Sequence, residues 1–216
     1  MPTTTNFGWT TPADTDLVSQ GAAAMRTLGD GIDASFLDLK GGSTGQALVK
    51  ASSANLDYTW EANGWYQLAT SSLTTSTTNL SSLPTTYKDL RIVINGYSQN
   101  TVQTTAFLRV GNGSASSTGY TTTKNPFSGT WTGSTTASDV LGSGYSVGTS
   151  LGTDFVVDIL QYAESNLTKC FVSHVFNTNG GQVCLGQWTN NNAINYVSFV
   201  AGVTPTAGTI TVYGRV

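Results

Sequence analysis

The sequence predicts a mainly β protein: a C-terminal antiparallel, jelly-roll-like β-sandwich behind a short N-terminal helical stalk that joins several copies. Three observations predict it. Val18, Ala22, Met25, Gly29, Ile32, Phe36 and Leu39 recur at alternating spacings of four and three. That is the period at which a helix offers one apolar seam to a partner helix. After residue 40 the helical period disappears, and short β-branched runs alternate with Gly- and Asn-rich turns. Only 10% of residues are charged, against roughly 25% in an average globular domain. The surface is wetted instead by 36 Thr and 23 Ser, and Thr favours the pleated, half-buried environment of a strand.

Four segments follow in order. Residues 1–13 are polar, with two early aromatics, Phe7 and Trp9, and read as an extended docking arm. Residues 14–40 are the stalk. Asp14 or Asp16 offers an N-cap and an acidic charge where the helix dipole favours it. The helix is expected to run to about Leu39. Gly21, Gly29 and Gly31 each cost about 1 kcal/mol of helix propensity relative to Ala, so the helix relies on assembly. Copies of the same helix are the natural partners of its seam, and the β region is expected to add to the association. Gly41 and Gly42 stop the helix. Residues 41–64 form a β linker, with strand-like pieces at Gln46–Lys50 and Leu56–Glu61.

Residues 65–216 form the head. Candidate strands are Tyr66–Leu73, Asp89–Tyr97, Thr105–Val110, Gly119–Thr123, Gly129–Gly133, Ala137–Leu141, Phe155–Tyr162, Lys169–Asn177, Gln182–Thr189, Asn195–Val203 and Gly208–Arg215. Turn signals sit at Asn95-Gly96, Gly111-Asn112-Gly113, Asn179-Gly180-Gly181 and Asn190-Asn191-Asn192. Short strands in this number, without helical period, predict a sandwich, and a jelly roll fits the count. The charge-poor stretch from Asn112 to Gly152 reads as long loops at one end.

Composition excludes several functions. Net charge is −3 and the nine basic residues are scattered, which argues against a nucleic-acid footprint. No apolar run approaches the roughly 18 residues of a membrane span, and the N-terminus lacks the pattern of a signal peptide. A component assembled in a cytosol and released by lysis reconciles that with so adhesive a composition. Cys170 and Cys184 read as reduced thiols, with a disulfide as the alternative.

Catalysis has little to work with. The only His, His174, lies in the apolar run Phe171–Phe176 four residues from Cys170. A structural histidine is the ordinary reading, and two ligands make no zinc site. Asp154 and Asp158 share a strand face, but a glycosidase needs two carboxylates facing each other across a groove. The chain is therefore read as a non-enzyme without cofactor or metal. Sugar binding needs exposed aromatic faces and neutral hydrogen-bonding groups on loops. Tyr120, Trp131, Tyr145 and Trp188, with Asn190, Asn191 and Asn192, are the candidates. Placement in the core or at a subunit interface is the competing reading for each aromatic.

The opening NFGWTTPADTDLVSQGAAAMRTLGDGID, residues 6–33, resembles the N-terminal module of tailed-bacteriophage minor tail and fibre proteins. GSTGQALVKASSANLDYTW, residues 42–60, is similar to a linker common in trimeric phage fibres. The head resembles phage receptor-binding jelly rolls loosely, through residues 87–94 and 208–214. The resemblance implies a homotrimeric virion appendage, assembled in the bacterial cytoplasm. Phe7 and Trp9 would dock it to other virion proteins of the tail or capsid. The head would face outward to a host glycan or protein. Head fibres and decoration proteins share this plan, so a purely structural capsid role is the alternative.

Overall fold

A computed structural model describes residues 2–100, 104–126, 132–141, 145–147, 152–177 and 180–216. The chain divides into two compact units, Met1–Asn63 and Gly64–Val216.

The first unit holds helix α1, Gly21–Ser35, with single 3-10 turns at Val18–Gln20 and Leu37–Leu39. The helix is thus shorter than the run to Leu39 that its seam predicts. Phe36 leaves helical geometry at φ −104° and ψ 10°, and no side chain caps the N-terminus. Asp16 instead accepts a hydrogen bond from the amide of Ala13 at 2.7 Å. The expected extended arm is folded back on itself: Thr3 bridges Thr10, and the amide of Thr4 donates to the carbonyl of Trp9 at 2.9 Å. Strands β1 (Gln46–Lys50) and β2 (Tyr58–Ala62) pair as an antiparallel hairpin.

The head contains β3 (Trp65–Ser72), β4 (Thr77–Leu80), β5 (Asp89–Ser98), β6 (Thr104–Gly111), β7 (Tyr120–Pro126), β8 (Thr132–Ala137) and β9 (Tyr145–Val147). It continues with β10 (Thr153–Ile159), β11 (Lys169–Asn177), β12 (Gly180–Trp188), β13 (Tyr196–Val200) and β14 (Ala207–Arg215). Two antiparallel sheets result. One runs β3-β14-β5-β10-β11-β12-β7-β8, the other β4-β13-β6-β9. Period-two alternation explains which face each strand buries. In β10, Thr153, Phe155, Val157 and Ile159 are buried while Asp154 is exposed.

One core lies between the sheets. Ile92, Ile94, Phe155, Val157, Ile210 and Val212 come from the larger sheet, and Leu108, Val110, Val197 and Phe199 from the smaller. Phe199 joins them through edge-on contacts, its ring 5.1 Å from that of Tyr97 and 5.8 Å from that of Phe155. Such pairs contribute about 0.5–1.5 kcal/mol beyond area burial.

Several sequence expectations change. Asn95-Gly96 is no turn; it lies inside β5, where the register with both neighbours shifts and Gly96 takes φ +63°. This is a β-bulge, which uses the same glycine conformation as a turn. Ala137–Leu141 is not a strand: β8 ends at Ala137, and the following residues turn so that Val140 and Leu141 enter the core. Strands β4 and β9 were not expected. Both are short, and in β4 the alternation is carried by the buried Thr78 and Leu80 in a polar sequence.

Candidate functional site

Helix α1 has two faces. On one, Ala24 is buried and Leu28, Gly31, Ile32 and Ser35 are half-buried. The arm covers part of this face. Trp9 donates its indole N–H to the Ser35 hydroxyl at 2.8 Å and stacks on Phe7 with ring centroids 4.9 Å apart. The Trp9 ring passes 3.7 Å from where a Cβ on Gly31 would stand, an ordinary contact distance. On the other side of α1, Ala22, Met25 and Gly29 are exposed, Met25 by 61%, and in the flanking 3-10 turns so are Val18, by 98%, and Leu39. Of the seven predicted seam residues, three therefore lie on the exposed side of α1; Phe36, past the helix end, packs against the Trp9 ring with centroids 6.2 Å apart, and Ile32 is turned toward the covered face.

In the head, the end at which the chain arrives from residue 64 is heavily braced. Trp65 opens β3 beside Arg215. The Arg91 guanidinium stands 4.5 Å and that of Arg215 5.3 Å from the Trp65 ring centroid. Arg91 grips Asp158 with two bonds, 2.6 and 2.9 Å long, and that bond raises the Arg91 pKa further above its usual value. Asp89, nearly buried, accepts from Arg215 at 3.1 Å and from the amide of Gln161 at 3.1 Å.

The described head residues other than glycine with left-handed backbone are Ser82, Gln161 and Asn166, at φ 57°, 52° and 74°. All three lie in loops at this end, and such conformations persist only where neighbours hold them. The amide of Asn166 donates to the carbonyl of Asn191 at 2.8 Å. The buried Lys169 ammonium donates to the carbonyls of Glu164 and Leu167, and desolvation lowers its pKa. The Tyr162 hydroxyl donates to the carbonyl of Pro84, and burial pushes its pKa up to about 12. A shallow cleft of about 390 Å3 opens here, lined in part by Tyr87, Lys88, Gln161 and Glu164. Sequence reasoning missed it, because its lining comes from two loops far apart in the chain that carry no common pattern.

Those of the predicted ligand-binding residues that the structure describes do not form one site. Tyr120 and Trp188 are each 1% exposed and belong to the core. Their rings stack against each other 6.3 Å apart. The Tyr120 hydroxyl accepts from the amide of Val110 at 3.0 Å, and burial raises its pKa. Neither ring can offer a face to a sugar, which corrects the expectation for both. Asn190, Asn191 and Asn192 are exposed at the braced end. Tyr145 opens β9 and pairs with Ala106, near the start of β6 and so toward the opposite end of the sandwich. Trp131 lies outside the described residues.

The possible catalytic groups are occupied. Asp158 is held by Arg91, and Asp154 accepts the Gly96 amide at 2.6 Å. His174 is half-buried and lies parallel to the Phe176 ring, 5.9 Å away. Cys170 and Cys184 are both free thiols, exposed and buried respectively. Among the described residues no three His, Cys, Asp or Glu side chains group as metal ligands, and no helix is long and apolar enough to cross a membrane.

What fold and surface define together is a mainly β protein of two units, the first carrying a bare helix face and the second a closed two-sheet core. Comparison of the chain with known protein families, curated proteins and solved structures finds no match.

Proposed function

We propose that this chain is a bacteriophage virion structural protein of the tail-fibre or receptor-binding type. Three copies zip through the helix seam, the arm attaches them to the particle, and the β head meets the host surface. One observation carries the reading. Ala22, Met25 and Gly29 on α1, with Val18 and Leu39 in the turns beside it, are exposed in the single chain, and exposed positions at spacings of three and four on a helix suit a partner helix. The likeness of residues 6–33 and 42–60 to phage fibre modules supports the virion assignment. Docking through the arm falls mainly to Phe7, which is 47% exposed; Trp9 is engaged with its own helix.

Strand order supports a jelly roll in the head. Strands β3, β4, β5 and β6 pair with β14, β13, β10 and β9 respectively. That is the ladder of one long hairpin rolled over a core into two sheets. Strands β7, β8, β11 and β12 widen the larger sheet.

A second reading, a capsid-fibre or decoration protein with a purely structural role, is favoured by the burial of Tyr120 and Trp188. Sedimentation of the full chain tests assembly. A trimer that Met25→Asp converts to monomer is expected, because a buried unpaired charge is costly; a wild-type monomer, or a variant that stays trimeric, removes the seam. Adsorption of the assembled protein to host cells supports receptor binding. No adsorption, with antibody labelling of the capsid shell, supports the structural role.

A further inference from the structure

The pair Asn-Gly occurs four times, at Asn63, Asn95, Asn112 and Asn179. It is the pair at which a side-chain amide is most easily lost, because glycine places no Cβ in front of its own nitrogen. Asn179 lies outside the described residues. The other three pairs are alike in most respects. Each asparagine and each glycine is exposed. Gly64, Gly96 and Gly113 take φ +99°, +63° and +75°, and apart from chain neighbours nothing lies within 4 Å of where a Cβ would stand on any of them. Room for a ring to close is therefore equal.

The glycine amide is what differs. Gly96 donates its N–H to the Asp154 carboxylate at 2.6 Å, and Gly113 donates to the side-chain carbonyl of Asn195 at 2.7 Å. The Asn112 side chain is tied as well, its Nδ2 donating to the carbonyl of Ala193 at 2.8 Å. Gly64 stands between β2 and β3, outside both ladders. Among the described residues nothing accepts its N–H.

We propose that the Asn63–Gly64 peptide is a modification site, which deamidates without an enzyme while the fold protects the same pair at Asn95 and Asn112. The Gly64 nitrogen attacks the side-chain carbonyl carbon of Asn63. The new C–N bond closes a five-membered succinimide, and the bond from that carbon to Nδ2 breaks. The proton from the Gly64 nitrogen, carried by solvent, leaves on the departing ammonia. Water then opens the ring at either carbonyl, giving aspartate or isoaspartate. No electrons are exchanged, and water is the co-reactant. A glycine amide engaged with an acceptor must first give up that bond, and a charged acceptor such as Asp154 strengthens it. Either product carries a negative charge that Asn63 lacks. Isoaspartate also lengthens the main chain between β2 and β3 by a methylene. The site is independent of whether copies assemble.

The full chain aged in mildly alkaline buffer, digested and read by mass spectrometry, reports amide loss at each asparagine. Asn63 is expected to convert about tenfold faster than Asn95 and Asn112, equivalent to about 1.4 kcal/mol of extra barrier at the engaged amides. The same chain aged in concentrated urea is expected to convert all three at similar rates, because only the fold distinguishes them. Asp154→Ala, with its fold checked by circular dichroism, is expected to bring Asn95 to nearly the rate of Asn63. Asn195→Ala is expected to do the same for Asn112. Equal native rates, or Asn63 as the slowest, overturn the proposal. So does a difference that survives urea, since neighbouring residues would then set it. Folded variants that leave Asn95 and Asn112 slow overturn the amide bond as the protector. Should both variants unfold, the urea comparison decides.

Discussion

Truncation of Phe199 to Ala tests whether the two sheets share one core. Phe199 is fully buried on β13 and touches Tyr97 and Phe155 of the opposite sheet. Phe→Ala in a core costs about 3–5 kcal/mol through lost transfer free energy and the cavity left behind. Two edge-on ring contacts add to that loss, so the upper part of the range, about 4–5 kcal/mol, is expected. For a chain of this size each kcal/mol lowers Tm by about 2–4 °C, which gives a fall of about 8–20 °C. Thermal unfolding by circular dichroism measures it. Phe107→Ala is the control: Phe107 lies opposite Val200 on the outward face of β6 and is only half-buried beneath Arg109. Its truncation is expected to cost about 1 kcal/mol. Equal shifts for the two variants, or a larger one for Phe107, would mean that the faces of β6 and β13 are assigned the wrong way round, and the shared core would have to be abandoned.

Two further outcomes follow from the head. Burial raises the Cys184 thiol from 9.0 to about 11. The folded state therefore holds a proton that the unfolded state has released, so this group's contribution is complete below pH 9 and is lost as pH rises through 11. Chemical denaturation between those limits should show stability falling with pH, and falling less steeply in Cys184→Ala; identical slopes would remove the thiol as the cause. Asp89→Asn should destabilise the head by about 1–3 kcal/mol, because Arg215 and the Gln161 amide lose a charged acceptor. Urea unfolding measures the loss, and a change under about 0.5 kcal/mol, the level of an ordinary surface substitution, would show that the brace is ornamental.

How much of this was legible in sequence depended on whether a strand had one apolar face or two. The bounds of β11 agree with expectation, since Lys169 and Asn177 frame an apolar run. Its buried side was not legible, because Val172, His174 and Phe176 are as apolar as the residues facing the core. The same ambiguity hid the fate of Trp188. In β12 it shares the inward face with Gln182 and Cys184, while Val183 and Leu185 point out. Composition made Trp188 a plausible ligand platform, and only pairing to Tyr120 across β7 fixes it inside. Asn95-Gly96 misled for a different reason: a bulge and a tight turn ask the same left-handed backbone of glycine. The braced end escaped notice because Asp89, Gln161 and Arg215 meet only after the sheets form.

Trp65 and Arg215 lie side by side, in adjacent strands at one edge of the larger sheet. The head therefore receives and releases its polypeptide at almost the same spot, like a bead sewn on by a single stitch. It can be spliced into a surface loop of an unrelated carrier without stretching either flank. A passenger appended after Val216 will hang beside the incoming strand, so display at the far rim calls for insertion into the turn between β3 and β4 instead.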